Sequence, residues 1–334
     1  MLYKALYNKY YVTVYNMTSS FYIDKCKLQI EFKNLHKLII INDKSGRGKS
    51  TNIYDKYISN KNLKNVHLCK INKNNNSESL KKILLSESSY DVIIILGGDG
   101  TIHSILNILM DNDIKKPISH VPCGTGNGLC KSILYSKKIE YNIENSIDEL
   151  QNYNCKKINL FKANLKDDNV SKYGFLSMTW GLFSNIDIKT EWLRRLGSIR
   201  NTLGALWEIG VKSSNFGEFV YLDENDEWIS ITDKFYYFTA SNVSHICHDV
   251  FINPDIKLDD GYMHIGYLTG KTSRLNLLKL LLSFDKGTCE KYINVVKTKH
   301  FILRPKNGIL VIDGEQIKLQ HIEINVLDDQ YIIF

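Results

Sequence analysis

The stretch VIIILGGDGTIHSILNILM, Val92 to Met110, decides the fold. Val92–Leu96 is an uninterrupted run of branched aliphatic residues, as expected for a strand buried on both faces of a sheet. It is cut off by GGDGT (Gly97–Thr101) and followed by the helix-compatible TIHSILNILM. The same order recurs on either side. KLIII (Lys37–Ile41) runs into NDKSGRGKS, and ISHVP (Ile118–Pro122) runs into CGTGNG and then GLCKSILYS. Strand, glycine turn and helix in succession predict an open, mostly parallel, Rossmann-like α/β sheet. The three turns then lie together at the carboxyl edge of that sheet, where such folds bind ligands.

Beyond about Leu150 the pattern changes. KINLFKANL, YGFLSMTWG, EFVYLD, KFYYFTASN, GYMHIGYLTG, HFILRP, GILVIDGE and IEINVL alternate or are rich in aromatics, which predicts a C-terminal antiparallel β-sandwich. Two helices are expected within it, around Ile188–Lys212 and Arg274–Phe284. The expected division is an N-terminal extension (residues 1–33) adding one or two strands, an α/β domain (34–150) and the sandwich (151–334). The extreme C-terminus is expected to pack back on the first domain, with the active site in the cleft between the two. The polar run Lys70–Ser79 reads as a surface loop.

The bulk properties narrow the function classes. The chain has 334 residues, 43% hydrophobic and 24% charged, ordinary globular values for two domains. Its net charge of +7 is spread along the chain, and no helix-turn-helix or zinc-finger pattern is present, so a nucleic-acid partner is not expected. Seven cysteines without CxxC pairs suggest neither a disulfide framework nor a zinc site. The tyrosine-rich start lacks the apolar segment of a signal peptide, and no run reaches the ~20 residues of a membrane span. A reduced, cytoplasmic protein that can visit a membrane surface is the expectation.

Each glycine turn carries chemistry. Glycines let backbone amides approach phosphate oxygens, and the following helix adds its positive end. GRGKS (Gly46–Ser50) invites a P-loop reading but fails it, because Asp43 stands where a P-loop needs its first glycine. Asn42, Lys44, Ser45 and Gly46 remain candidate nucleotide contacts. In GGDGT, Gly97, Gly98, Gly100 and Thr101 surround Asp99, a carboxylate placed to take a proton from a hydroxyl nucleophile; a helix cap is the structural alternative. His103, one turn on, reads as packing. In PCGTGNGL, Gly124, Thr125, Gly126 and Asn127 are spaced as GxGxG, not the dinucleotide GxGxxG, and could orient ribose or phosphate.

Together NDKSGRGK, GGDGT and PCGTGN resemble the catalytic domain shared by diacylglycerol, ceramide and sphingosine kinases. WGLFSNIDIKTEWLRRLGSIRNTLG (Trp180–Gly204) is similar to the segment peculiar to the sphingosine kinase branch. The resemblance runs from about Ile39 to the C-terminus. It implies ATP and Mg²⁺ as cofactors and a sphingoid base as lipid substrate. Asp99 matches the catalytic aspartate, and Asp187 the acidic residue that recognises the cationic headgroup. Glu191, Arg194 and Arg200 match residues near the ATP phosphates. Asp313, in VIDGE with Gly314 and Glu315, matches a carboxylate that helps hold Mg²⁺, with Gly314 and Glu315 as nucleotide contacts. Without the resemblance, Glu191 and Arg194 read equally as a helix-surface pair, and Asp313 as a turn aspartate.

A sphingoid tail needs an apolar slot, for which Phe183, Ile186, Leu203, Leu277, Leu280, Leu281 and Phe284 are candidates, with core packing as the alternative for each. Departures stand beside the resemblance: Asn201 and Cys289 occupy positions where relatives have Phe and His, and Asp43 replaces a proline. They bear on chain-length preference. Ceramide or diacylglycerol kinase activity on the same scaffold is the first alternative, NAD kinase the second and an inactive lipid-binding module the third. Membrane association is expected to be peripheral, and a homodimer stays open.

Overall fold

The computed structural model of the chain describes residues 34–59, 63–71, 77–86, 90–152, 156–190, 199–328 and 331–333. The strands expected before residue 34 lie outside them.

The first sheet is built from β1 (Lys37–Asn42), β2 (Val66–Ile71), β3 (Val92–Gly97), β4 (Ile118–Pro122) and β5 (Lys156–Ile158). The helices are α1 (Lys49–Tyr57), α2 (Ser77–Leu85), α3 (Asp99–Asp111), α4 (Gly128–Ser136) and α5 (Ile143–Asn152). β2, β1, β3 and β4 pair in parallel. Successive residues of β1 and β3 point to opposite faces, so the unbroken apolar runs feed two cores at once. Leu38, Ile40, Ile93 and Ile95 pack with α2, α3 and α4, whereas Ile39, Ile41, Val92 and Ile94 pack with α1 and α5. This is the doubly wound arrangement anticipated from the three repeats.

Among the described residues β2 is an edge strand, and with α2 it trims the expected Lys70–Ser79 loop, of which 72–76 lie outside the described residues. Lys70 and Ile71 close β2, and Ser77 opens α2. Only Cys69 of β2 is buried, so the strand has the weak apolar signal and charged character of a protected edge.

The second half contains β6 (Phe161–Leu165), β7 (Val170–Gly174), β8 (Ser177–Gly181), α6 (Leu182–Lys189), α7 (Ile199–Val211), β9 (Asn215–Leu222), β10 (Trp228–Ser241), β11 (His245–Cys247), β12 (Val250–Phe251) and β13 (Met263–Thr269). It continues with α8 (Arg274–Ser283), β14 (Asn294–Thr298), β15 (His300–Pro305), β16 (Leu310–Ile312), β17 (Glu315–Ile317) and β18 (Ile322–Val326). Eleven of these strands form one antiparallel sheet. The first half of the long β10 pairs with β9, and its second half pairs with β8 on one side and β13 on the other. The ladder thereby branches and curls around a single core in which Trp180, Phe219, Phe235, Phe238 and Phe301 are wholly buried.

The chain then returns to the first sheet. β19 (Tyr331–Ile333) lies between β4 and β5, parallel to the former and antiparallel to the latter. Ile333 is fully buried, and the Tyr331 hydroxyl donates to the Lys116 carbonyl. Ile333→Ala is therefore expected to destabilise the protein by about 2–4 kcal/mol, the range for emptying a buried aliphatic site, read as a lower urea midpoint. An unchanged midpoint would show that β19 contributes no core.

Candidate active site

The three glycine turns meet where their strands end. Gly46 has φ +55°, and a Cβ there would stand 2.0 Å from the Cys123 carbonyl oxygen, so the first turn lies directly against the third. The second and third touch backbone to backbone: a Cβ on Gly124 would sit 2.6 Å from Gly98 Cα. No other residue permits that approach without displacement. Asn42 Nδ2 donates to Thr101 Oγ1 at 2.8 Å, and Ser45 Oγ lies 3.4 Å from the same hydroxyl, joining the first turn to the second. Asp43, which breaks the P-loop pattern, accepts from the Thr51 hydroxyl and ties its turn to α1. Lys44 and Thr125 are exposed at the rim.

Asp99 is the first residue of α3, yet its carboxylate serves a different helix. Gly128 N donates to Oδ2 at 2.8 Å and Leu129 N to Oδ1 at 3.3 Å, so the side chain sits on the amide end of α4. Burial pushes its pKa up to about 6, the amides of Gly128 and Leu129 pull it down, and the Asp313 charge pushes it up again. The result is a carboxylate still ionised at neutral pH but a much better proton acceptor than an exposed aspartate. Asn127, with φ +52°, braces the third turn from within, its Oδ1 accepting from Gly124 N at 2.9 Å.

Asp313 and Gly314 form the two-residue turn between β16 and β17, with φ of +49° and +86°, the signature of a type I′ hairpin. The Asp313 carboxylate turns inward. It accepts from Phe175 N (3.0 Å), Leu176 N (2.9 Å) and Ser177 N (3.0 Å), and from His103 Nδ1 at 3.0 Å. The sequence expectation gives Asp313 a part in holding Mg²⁺; here both of its oxygens accept hydrogen bonds and its side chain is fully buried. The exposed Glu315 fits the need better. A Cβ on Gly100 would stand 3.3 Å from its Oε1, which places a free carboxylate over the second turn, suited to a hydrated Mg²⁺ carried by phosphates. Gly314 lies beside it.

Residues 36–163 match the family model described as the diacylglycerol kinase catalytic domain. Sphingosine kinase 1 of Homo sapiens is 24% identical over 83% of this chain and 85% of its own length. Sphingoid long chain base kinase 4 of Schizosaccharomyces pombe is 22% identical over 90% and 75%. A diacylglycerol kinase catalytic domain is thus matched within residues 36–163, and similarity to proteins named sphingosine kinase or sphingoid long chain base kinase extends over most of the chain. A crystal structure of a diacylglycerol kinase from Bacillus anthracis str. Sterne superposes with a TM-score of 0.63 over 89% of this chain and 96% of that one, at 16% identity, and so shares the fold.

The apolar candidates are largely gathered. Phe183, Ile186, Leu280, Leu281 and Phe284 share one cluster with Tyr237, Ile252 and Cys289. Leu277 belongs to a smaller adjoining cluster that Leu281 also touches. Leu203 is not brought in; it is 48% exposed on α7. Glu191 and Arg194 lie outside the described residues, as do the side chains of Asp187 on α6 and Arg200 and Asn201 on α7. Two contributors escaped the sequence reading. Glu208 on α7 is buried and accepts from Asn185 Nδ2 and Lys189 Nζ, both at 2.8 Å, locking α6 to α7. Gly128 was visible within the third motif, but that its amide holds Asp99 depends on two loops meeting.

Removing the Asp313 carboxylate leaves three buried amides unpaired. Asp313→Ala is expected to cost about 3–5 kcal/mol, read from denaturant unfolding, because unpaired buried donors carry their full desolvation penalty. A loss of activity with unchanged stability would instead support the metal-ligand role.

Proposed function

We propose that this protein transfers the γ-phosphate of ATP to the primary hydroxyl of sphingosine or a related sphingoid base, giving sphingosine 1-phosphate or its analogue. The observation that carries this reading is the Asp99 carboxylate, seated where three glycine turns converge and raised to about pKa 6. The phosphates lie on the backbone amides of the glycine turns. Asp99 takes the proton as the hydroxyl oxygen attacks the γ-phosphorus in line, and the bond to the β–γ bridging oxygen breaks to release ADP. Glu315 would hold the Mg²⁺ carried by the nucleotide, which would supply charge neutralisation. Arg194, Arg200 and Glu191 complete the phosphate contacts, by resemblance.

The lipid specificity rests on Asp187 and the neighbouring cluster. A sphingoid headgroup is a cation and gives that carboxylate a charged partner, which ceramide and diacylglycerol do not. The tail lies against Phe183, Ile186, Leu280 and Phe284. The curated relatives named above carry sphingosine or sphingoid base in their names, which supports the choice.

A labelled-ATP assay against sphingosine, ceramide and diacylglycerol in parallel tests this directly, and sphingosine is expected to be the preferred acceptor. Preference for a neutral lipid would move the assignment to the first alternative. Asp99→Asn is expected to lower turnover at least ~100-fold, and the acidic limb of kcat/KM in the parent is expected near pH 6, not pH 4. The sign for stability is opposite. A pKa raised on folding gives stability that is complete below about pH 4 and lost as pH rises through 6, so Asp99→Asn raises Tm at pH 8 and not at pH 4. A poorly folded Asn variant would undercut the catalytic reading of its lost turnover.

Entry of the lipid is proposed to use a peripheral membrane surface in the cytoplasm. Among the described residues no helix is long and apolar enough to cross a membrane. On α7, however, Leu203, Leu206, Trp207 and Val211 are exposed, Trp207 by 69%, and on the adjacent α8 so are Leu275 and Leu282. Arg274 Nε donates to the Gly210 carbonyl at 3.0 Å and fixes the two helices together. Leu206→Ser with Trp207→Ser is expected to cut turnover on vesicle-borne sphingosine at least ~5-fold while sparing detergent-dispersed substrate. Equal effects in both would remove the membrane role.

A further inference from the structure

The short hairpin β11–β12 carries a cluster that phosphoryl transfer does not use. Cys247 ends β11, and His248 and Asp249 form the turn. Cys247 Sγ lies 3.6 Å from His248 Nδ1, and that nitrogen lies 3.9 Å from Asp249 Oδ1. All three ligand atoms fall within 4.8 Å of one another. A tetrahedral zinc-class ion, with bonds of about 2.3 Å to sulfur, 2.05 Å to nitrogen and 2.0 Å to oxygen, sets sulfur about 3.6 Å from nitrogen and nitrogen about 3.3 Å from oxygen. The first spacing is already present. The second needs a closure of about half an ångström, within reach of an exposed aspartate rotamer.

The surroundings hold this arrangement in place. His248 N donates to the Gly126 carbonyl at 2.8 Å, and the Tyr141 ring stacks on the imidazole with centroids 6.5 Å apart. The Tyr141 hydroxyl accepts from Asn127 Nδ2 at 3.1 Å, so the turn is docked on the third glycine loop. On its other side Ile246 and Val250 pack against the apolar cluster of α6 and α8. His248 and Asp249 are exposed and Cys247 is half-buried, which leaves the cluster open to an ion from solvent and its fourth position open to water.

We propose that Cys247, His248 and Asp249 form a binding site for a thiophilic divalent cation of the zinc class, separate from the Mg²⁺ that accompanies the nucleotide. The donor set selects that class: sulfur and imidazole suit zinc or cobalt, whereas Mg²⁺ takes oxygen ligands in octahedral geometry. Thiolate and carboxylate together balance the two positive charges, the thiol proton leaving to solvent as the ion binds. The site adjoins the catalytic centre. A Cβ on Gly126 would stand 3.3 Å from Asp99 Oδ2 and 3.8 Å from Cys247 Sγ, so one glycine separates the two.

Cobalt(II) is the probe, added to the full chain without ATP or lipid, so the outcome does not depend on the kinase reading. One equivalent is expected to give the intense visible bands of four-coordinate cobalt and a thiolate charge-transfer band in the near ultraviolet. Cys247→Ser is expected to abolish the charge-transfer band, and the exposed-site variant His248→Gln to weaken cobalt binding at least ~10-fold, both with unchanged Tm. Zinc should displace the cobalt, and a large excess of Mg²⁺ should not. Absence of the charge-transfer band in the parent, its persistence in Cys247→Ser, or displacement by Mg²⁺ would each overturn the proposal.

Discussion

The hydrogen bond from the Gly128 amide to the Asp99 carboxylate is the interaction on which the centre depends. It joins the helix after the second glycine turn to the helix after the third, and it does so only because Gly98 and Gly124 touch through their backbones. A charge buried at such a junction is costly unless amides meet it, and here two do. The balance between those amides and desolvation leaves Asp99 ionised at neutral pH and still basic. A carboxylate paired with a lysine or arginine would be stable there but too weak a base, so the use of amides in place of cations is part of the chemistry.

The first sheet was legible because its strands are buried on both faces and its turns are glycine-rich, signals that survive in a single sequence. Val92–Leu96 and Ile118–Pro122 appear as parallel neighbours. β2 was not legible: a sheet edge faces solvent, and VHLCKI carries one buried side chain. The second half was legible as antiparallel β. Its branching at β10 was not, since a strand that changes partners midway keeps the same local pattern. The returning β19 is three residues long, below what periodicity can detect.

The site divides along similar lines. Residues within the glycine turns were readable because each motif is contiguous. Asp313 was readable as a candidate, but its inward hydrogen bonds were not. Whether a turn aspartate faces outward to a metal or inward to a neighbouring strand is decided by where Phe175, Leu176 and Ser177 expose their amides, which local sequence does not encode. Through His103, the same carboxylate links α3 to the curled sheet, so the helix that presents Asp99 is anchored in both halves. Apolar candidates suffered the opposite ambiguity: Leu203 and Leu280 share a residue type, yet one is half-exposed and the other wholly buried.

β19 fills the slot between β4 and β5, and Tyr331 reaches Lys116 across 215 positions of chain. During synthesis on the ribosome, the nucleotide half would emerge early with the slot between β4 and β5 unfilled. It could collapse but not close until Tyr331–Ile333 were translated, and the whole curled sheet would have to be made in the interval. The two halves are thereby matured together, and a truncated chain would leave an unzipped sheet for chaperones to recognise.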